Sequence, residues 1–331
     1  MRILIIGGNR FLGLDLCLRL LAQGREVTLL NRGNLPDPFG TRIERLRADR
    51  GTDEFDRVLE GQRFDGIVDF ALFDGPQAER TARVLASHSG PYVLISTGQV
   101  YLVREGYRPP AREEDYDGPL LPRPTGQRDL DNWTYGIEKR QAEEIVASSS
   151  LRWYSLRLPM VHGLRDYRGR IQSLLWRVLD GGPLLVANAG APVRHVYGPA
   201  VNRLIERLLL QTPAKPGAWN LAQAETLSVR EVIERIALRV GVTPRILEVE
   251  HRLLEQRGLD AVDACAFSGK WMSCLDASRA SAELGFTHEP FDVYLNGMVD
   301  ALLAQWSDAP IEFMAQRPLE LAAARDLAHG S

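Results

Sequence analysis

Met1-Arg2-Ile3-Leu4-Ile5-Ile6-Gly7-Gly8-Asn9-Arg10-Phe11-Leu12-Gly13 opens the chain, and its reading decides the fold. Arg2–Ile6 is a short apolar run, the pattern of a strand buried on both faces of a parallel sheet. Phe11–Ala22 carries Leu14, Leu16, Leu18, Leu20 and Leu21 and stops at Gly24, which reads as a helix with a glycine stop. Between the two, Gly7 permits a tight turn, Gly8 keeps the backbone bare where phosphates approach, and Gly13 allows close helix–strand packing. The helix N-terminus then offers free N–H groups and the positive end of its dipole. Strand, glycine loop and helix in that order predict a dinucleotide-binding site.

Working outward, Glu26–Leu30, Arg42–Leu46, Gly66–Phe70, Tyr92–Ile95 and Trp153–Leu158 read as further strands, with Pro76–Ala86 and Trp133–Ser148 as helices. The alternation predicts an α/β fold, a Rossmann-type doubly wound parallel sheet of seven strands. Residues 102–132 break the rhythm with Pro109, Pro110, Pro122 and Pro124, and a loop that long suggests a lid or binding segment. Beyond it the chain turns mainly helical. Ser228 and Glu231 form a capping box that opens a helix Val229–Val240, Arg245–Val249 reads as a strand, and Tyr294–Trp306 as a helix. Pro318–Ser331 fits either an added amphipathic helix or a frayed tail. The expected division is a dinucleotide-binding domain, 1–162 with 192–222, and a smaller helical substrate domain, 163–191 with 223–331.

The 331 residues hold 40 Lys+Arg against 43 Asp+Glu, a net charge of −3, so no general attraction for nucleic acid is expected. No apolar run reaches the length of a membrane span, and the strand starting at residue 2 leaves no room for a signal peptide, so a cytoplasmic protein is expected. Cys17, Cys265 and Cys274 are odd in number and lack CxxC spacing, which argues against a disulfide framework and a metal site.

Two more motifs carry chemistry. Tyr135-Gly136-Ile137-Glu138-Lys139 places a phenol and an ammonium four residues apart on one helix face, where the cation would lower the phenol's pKa and suit it to proton exchange. Ser96-Thr97-Gly98-Gln99-Val100-Tyr101 follows the fifth strand, at the carboxyl edge of the sheet where α/β ligands bind. At the tip of the second strand, Leu30-Asn31-Arg32-Gly33 lacks the acid that would bond an adenosine ribose. Arg10 and Arg32 supply cations there, which favours NADP(H), with NAD(H) the alternative.

Together these motifs resemble the extended branch of the short-chain dehydrogenase/reductase superfamily, the NAD(P)-dependent epimerase/dehydratase-like group. The resemblance continues through Asp69-Phe70-Ala71, Arg157-Leu158-Pro159-Met160-Val161-His162-Gly163, His195-Val196, Gly217–Ala222 and Asp276–Phe286. Gly-Gly-x-Arg-Phe with Asn31-Arg32-Gly33 is most similar to a subgroup holding chloroplast stem-loop RNA-binding proteins and bacterial reductases. The resemblance implies Thr97 as the hydroxyl orienting the substrate oxygen, Tyr135 as acid/base, and Lys139 as its tuning partner. It implies a cofactor set of Gly7, Asn9, Arg10, Phe11, Leu12, Gly13, Asn31, Arg32, Asp49, Phe70, Ala71, Lys139, Pro159 and Val161, and a homodimer.

Sugar-nucleotide epimerases place an asparagine where this chain has Met160, and an arginine a few residues before the His-Val, whereas Arg194 directly precedes His195. The expected function is therefore hydride transfer at a carbonyl or secondary alcohol carbon of a small non-nucleotide substrate, as a net reduction. A nucleotide-sugar epimerase or dehydratase and a non-catalytic RNA-binding relative are the alternatives. Tyr107, Tyr116 and Trp133 suit a weakly charged ligand or simply pack the loop. His162 and His195 read as structural. Glu113-Glu114-Asp115 reads as a solvated edge or a second proton donor, and Arg165, Arg168 and Arg170 as an exposed face or an anion contact.

Overall fold

The computed structural model describes residues 1–211, 215–306 and 314–329. Seven strands form the main sheet: β1 (Arg2–Ile6), β2 (Glu26–Asn31), β3 (Glu44–Arg47), β4 (Gly66–Asp69), β5 (Pro91–Thr97), β6 (Arg152–Leu158) and β7 (Gly217–Asn220). Their order is β7-β6-β5-β4-β1-β2-β3, and every pairing is parallel. The order reverses beside β1, which puts a crevice at the carboxyl ends of β1 and β4 where α/β folds take ligands.

The alternation in β1 explains the two layers. Ile3 and Ile5 join Leu16, Leu20, Val201 and Leu204 on one face, while Leu4 and Ile6 join Phe55, Ala78, Ala142 and Val146 on the other. All four apolar β1 side chains are buried, and fully burying such a residue is worth roughly 1.5–3 kcal/mol.

A separate apolar core gathers Leu174, Leu175 and Val178 from the helix Arg170–Leu179, Val232, Ile233 and Ile236 from Val229–Val240, and Leu295, Met298 and Val299 from Phe291–Ala304. The capping box forms as expected, with the Glu231 N–H donating to Ser228 Oγ and the Ser228 N–H to Glu231 Oε2. The C-terminal segment is a helix, Arg317–His329, and residues 330–331 of the expected stretch lie outside the described residues. Arg177 and Glu320, both fully buried, pair at 2.6 Å, and Arg317 bonds Asp180 at 2.7 Å, so this helix docks instead of fraying.

The helix carrying Tyr135 starts at Gln127, six residues before the expected Trp133. Gln127–Asn132 has Leu130 as its one apolar residue and so gives no apolar period; contacts hold it instead. Gln127 donates to Asp131, Arg128 pairs with Asp260, and the Trp271 indole donates to Asp129 at 2.7 Å.

Candidate active site

The glycine loop turns at Gly7 and Gly8, with φ of 84° and 71°, values that favour glycine. Gly13 is glycine for space, since a Cβ there would stand 2.3 Å from the Gly8 Cα. The reason expected for Gly8 needs correction: its missing side chain faces the core, where a Cβ would meet the Ile5 Cγ2 at 2.3 Å. Phe11 holds a φ of 42°, strained for a bulky residue and of the kind that collects at functional sites. The helix it begins leaves the N–H groups of Phe11 and Leu12 without intrahelical acceptors.

Beside this loop lies a cavity of about 320 Å³ lined by Gly7, Asn9, Asn31, Arg32, Asp49 and Ala71, six of the expected cofactor residues. Phe70 and Ala71 place their Cβ atoms 3.3 and 3.2 Å from where a Gly7 Cβ would be, which closes the loop against β4. Arg10 and Arg32 do not come together at the β2 tip as expected. Arg32 lines the cavity with its guanidinium 4.0 Å from the Asp49 carboxylate, while Arg10 lies over the Tyr167 ring, 5.1 Å from its centroid. Asp49 is an acid brought to the β2 tip from the end of β3, out of reach of any reading of β2 alone.

Arg50, Phe73 and Gln77 also line the cavity, and the sequence reading missed them. Arg50 bonds the fully buried Asp69 at 2.9 and 2.5 Å, and Asp69 further accepts from the Tyr92 hydroxyl at 2.7 Å and the Ala71 N–H at 2.9 Å. Burial pushes the Asp69 carboxyl up, but the Arg50 guanidinium outweighs it and holds the group below the usual range. The network braces the floor of the cavity. A carboxylate ending a buried strand was the available signal that a cation must lie nearby.

At the carboxyl end of β5, Thr97 and Tyr135 meet. Tyr135 is partly exposed, and the neighbouring Thr97 hydroxyl favours its phenolate form. Lys139 is buried one helical turn on and donates to the carbonyls of Leu72 and Ile95 at 2.8 and 2.9 Å. Burial pushes its pKa down to about 8, with Glu143 opposing. The expected lowering of the Tyr135 phenol is not what this state holds. Burial raises it, the nearby Thr97 hydroxyl opposes, and the Lys139 ammonium is committed to the two carbonyls.

The Tyr135 helix is locked to β6 through Glu143, which accepts from Arg157 at 2.6 Å and Ser155 at 2.9 Å. Gly136 lets it approach the turn after β5, since a Cβ there would stand 2.5 Å from the Val103 Cγ1. Gly98 has an ordinary helical backbone, so it too is glycine for space: a Cβ would lie 2.3 Å from the Ser273 Oγ. Val161 belongs to the short parallel pair of Val161–His162 with Val196–Tyr197, and Pro159 lies two residues before it.

Several side readings are now placed. His162 and His195 are buried, their ring centroids 4.3 Å apart, beside Phe267 and Tyr294. Glu113 is no solvated edge: it is buried and accepts the Asn220 N–H at 2.8 Å, Asp115 caps the Arg112 N–H, and Glu114 alone of the three stays exposed. Tyr116 stacks under Arg140 at 3.7 Å, so it packs the loop. Arg165 pairs with Asp15 and Arg170 with Asp166, while Arg194 pairs with Asp276 and bonds Thr226. Among the described residues no helix is long and apolar enough to cross a membrane, and no group of acidic, histidine or cysteine side chains is arranged to hold a metal ion.

Residues 3–222 match the family model for the NAD dependent epimerase/dehydratase family. The chloroplast stem-loop binding protein of 41 kDa b from Arabidopsis thaliana is 28% identical over 211 residues, which cover 59% of this chain and 51% of that protein. The chain thus spans about half the length of that relative. The Bordetella bronchiseptica enzyme WbmG, solved with NAD, superposes with a TM-score of 0.72 over 92% of this chain and 94% of that one at 18% identity. The Thermus thermophilus UDP-glucose 4-epimerase, solved with NAD, gives a TM-score of 0.68 over 92% of this chain and all of that one at 19% identity. Likeness at such low identity establishes the Rossmann-type fold, and the family match goes further: the chain belongs to the NAD dependent epimerase/dehydratase family.

Proposed function

We propose that this protein is an NAD(P)-dependent enzyme that moves a hydride at a hydroxyl-bearing carbon of a sugar-type substrate and returns it within the same catalytic cycle, as an epimerase or dehydratase. The observation that carries the reading is the placement of Thr97, the last residue of β5, beside Tyr135, with Lys139 buried one helical turn on. Residues 1–162 and 192–222 hold the cofactor, and 163–191 with 223–331 form the substrate side of the cleft.

The glycine cradle, the helix N-terminus and the 320 Å³ cavity fit a dinucleotide: pyrophosphate at the Phe11 and Leu12 N–H groups, adenosine in the cavity beside Asn31, Arg32 and Asp49. A bound nicotinamide supplies the hydride acceptor and donor. Thr97 orients the substrate oxygen, and Tyr135 takes its proton and gives it back. Lys139, on giving up one of its two carbonyl partners, would be the residue to hold the cofactor ribose, and its charge would then favour the Tyr135 phenolate. Arg32, on the cavity wall, supports NADP(H) as the preferred form.

Net reduction of a non-nucleotide carbonyl compound is the second reading, favoured by Met160 where relatives carry asparagine and by Arg194 being held on Asp276 and Thr226. Turnover of UDP-glucose, dTDP-glucose and a panel of simple ketones separates the two. Product formation without loss of reduced-nicotinamide absorbance supports the first reading, and stoichiometric loss supports the second. Tyr135→Phe should lower turnover by about two to four orders of magnitude while cofactor binding survives. Unchanged turnover in that variant would remove Tyr135 from the chemistry.

A further inference from the structure

A short loop reaches the cofactor groove from its far side. Residues 163–169 join the pair ending at His162 to the helix Arg170–Leu179, whose apolar face belongs to the second core. Three independent contacts seat the loop on the start of the helix Phe11–Ala22. Gly163 lies against the strained Phe11, where a Cβ would come within 2.8 Å of the ring. Arg165 pairs with Asp15 at 2.6 Å. The Arg10 guanidinium lies 5.1 Å from the centroid of the Tyr167 ring. Within the loop, Asp166 accepts from Arg170 at 2.9 Å and from the Arg168 N–H at 3.0 Å, which stiffens it.

We propose that this loop is a clasp that retains the bound dinucleotide, with Tyr167 touching the half of the cofactor that runs from pyrophosphate to nicotinamide and Arg10 held by the Tyr167 ring as a phosphate ligand. The proposal deepens the dinucleotide reading of the site and rests on it.

Tyr167 is 56% exposed, an unusual state for an aromatic ring fixed by a cation on one side, and a ligand in the groove would cover it. Arg10 makes no ion pair among the described residues, so its charge is available to a phosphate. Tyr167 stands at the glycine loop after β1, and Thr97, beside Tyr135, ends β5, two strands along the sheet. The nicotinamide half of a cofactor seated on Gly7–Gly13 must cross that interval to reach Tyr135. A cofactor under the clasp leaves only when the Tyr167 and Arg165 contacts open. Slow release suits a hydride that is returned to the same substrate and handicaps an enzyme that exchanges its cofactor at every turnover.

The test uses the full chain loaded with NADPH and, separately, NADH, and follows nicotinamide fluorescence anisotropy after displacement by excess oxidised cofactor. Tyr167→Ala should speed dissociation about tenfold, from the loss of a ring contact to cation and ligand. Tyr167→Phe should stay within about twofold of wild type, since the ring carries the contact, and Arg165→Ala should fall between them. Tyr167 and Arg165 are surface residues, and thermal melts confirm that each variant folds. Unchanged dissociation in Tyr167→Ala, with wild type binding either reduced dinucleotide, overturns the clasp alone. Wild type that binds neither overturns the dinucleotide reading and the clasp with it.

Discussion

Replacing Arg50 by methionine tests how the cavity floor is held. Methionine keeps most of the side-chain stem and its packing toward Phe55, over which the guanidinium lies at 5.4 Å, but removes the charge. Asp69 is then a fully buried carboxylate left with two neutral donors, the Tyr92 hydroxyl at 2.7 Å and the Ala71 N–H at 2.9 Å. Breaking a buried pair in this one-sided way costs about 3–5 kcal/mol, and the two surviving donors put this case near 3 kcal/mol. Urea denaturation at neutral pH reads that loss directly.

The pH dependence gives the prediction its specificity. In the wild type Asp69 titrates below its unfolded value, so the pair's contribution is fully present above about pH 4 and is lost only as pH falls through the lower folded pKa. Without Arg50, burial dominates and the folded pKa rises above the unfolded one. The variant then regains stability as Asp69 takes up a proton, so its deficit against wild type shrinks between pH 7 and pH 5. Arg50→Met combined with Asp69→Asn removes both charges and should recover most of the loss. A single variant within about 1 kcal/mol of wild type at neutral pH, or a deficit that does not change with pH, would refute the argument. So would a double variant no more stable than the single.

Two further outcomes follow from the site. Burial pushes the His195 pKa down to about 3 and that of His162 well below its ordinary value, so the unfolded chain binds protons that the folded one refuses. Stability should fall by about 1.6 kcal/mol per histidine between pH 6.5 and pH 5, and His195→Gln should make the urea-unfolding profile shallower over that window; an equally steep profile counts against it. Arg32→Ala should weaken NADPH binding about five- to twentyfold and leave NADH within about twofold, the scale of one exposed charge-assisted contact. Tighter binding of NADH than NADPH by the wild type, unaltered in the variant, would turn the cofactor preference to NAD(H).

What the sequence disclosed and what it withheld divide along the range of the interactions. β1 was legible because its two-sided burial is written in four consecutive apolar residues, and the Tyr135–Lys139 spacing because a helix fixes it locally. The capping box at Ser228 and Glu231 needed three residues of context and formed as read. The start of the Tyr135 helix was misplaced because Gln127–Asn132 is held by Asp260 and Trp271, more than a hundred residues away. Gly8 and Gly98 show a subtler limit. Gly98 is glycine because Ser273 fills the space, and Gly8 because Ile5 does so as well as for its positive φ, neighbours that no local pattern names. Electrostatics behaved the same way. Helical spacing brings Lys139 to the Tyr135 face, yet the ammonium settles on the carbonyls of Leu72 and Ile95, two atoms that no residue pattern advertises. On the proposed function, the tuning of Tyr135 is thus conditional on a ligand that draws Lys139 away from those carbonyls, and the pair would be set for chemistry only when the groove is filled.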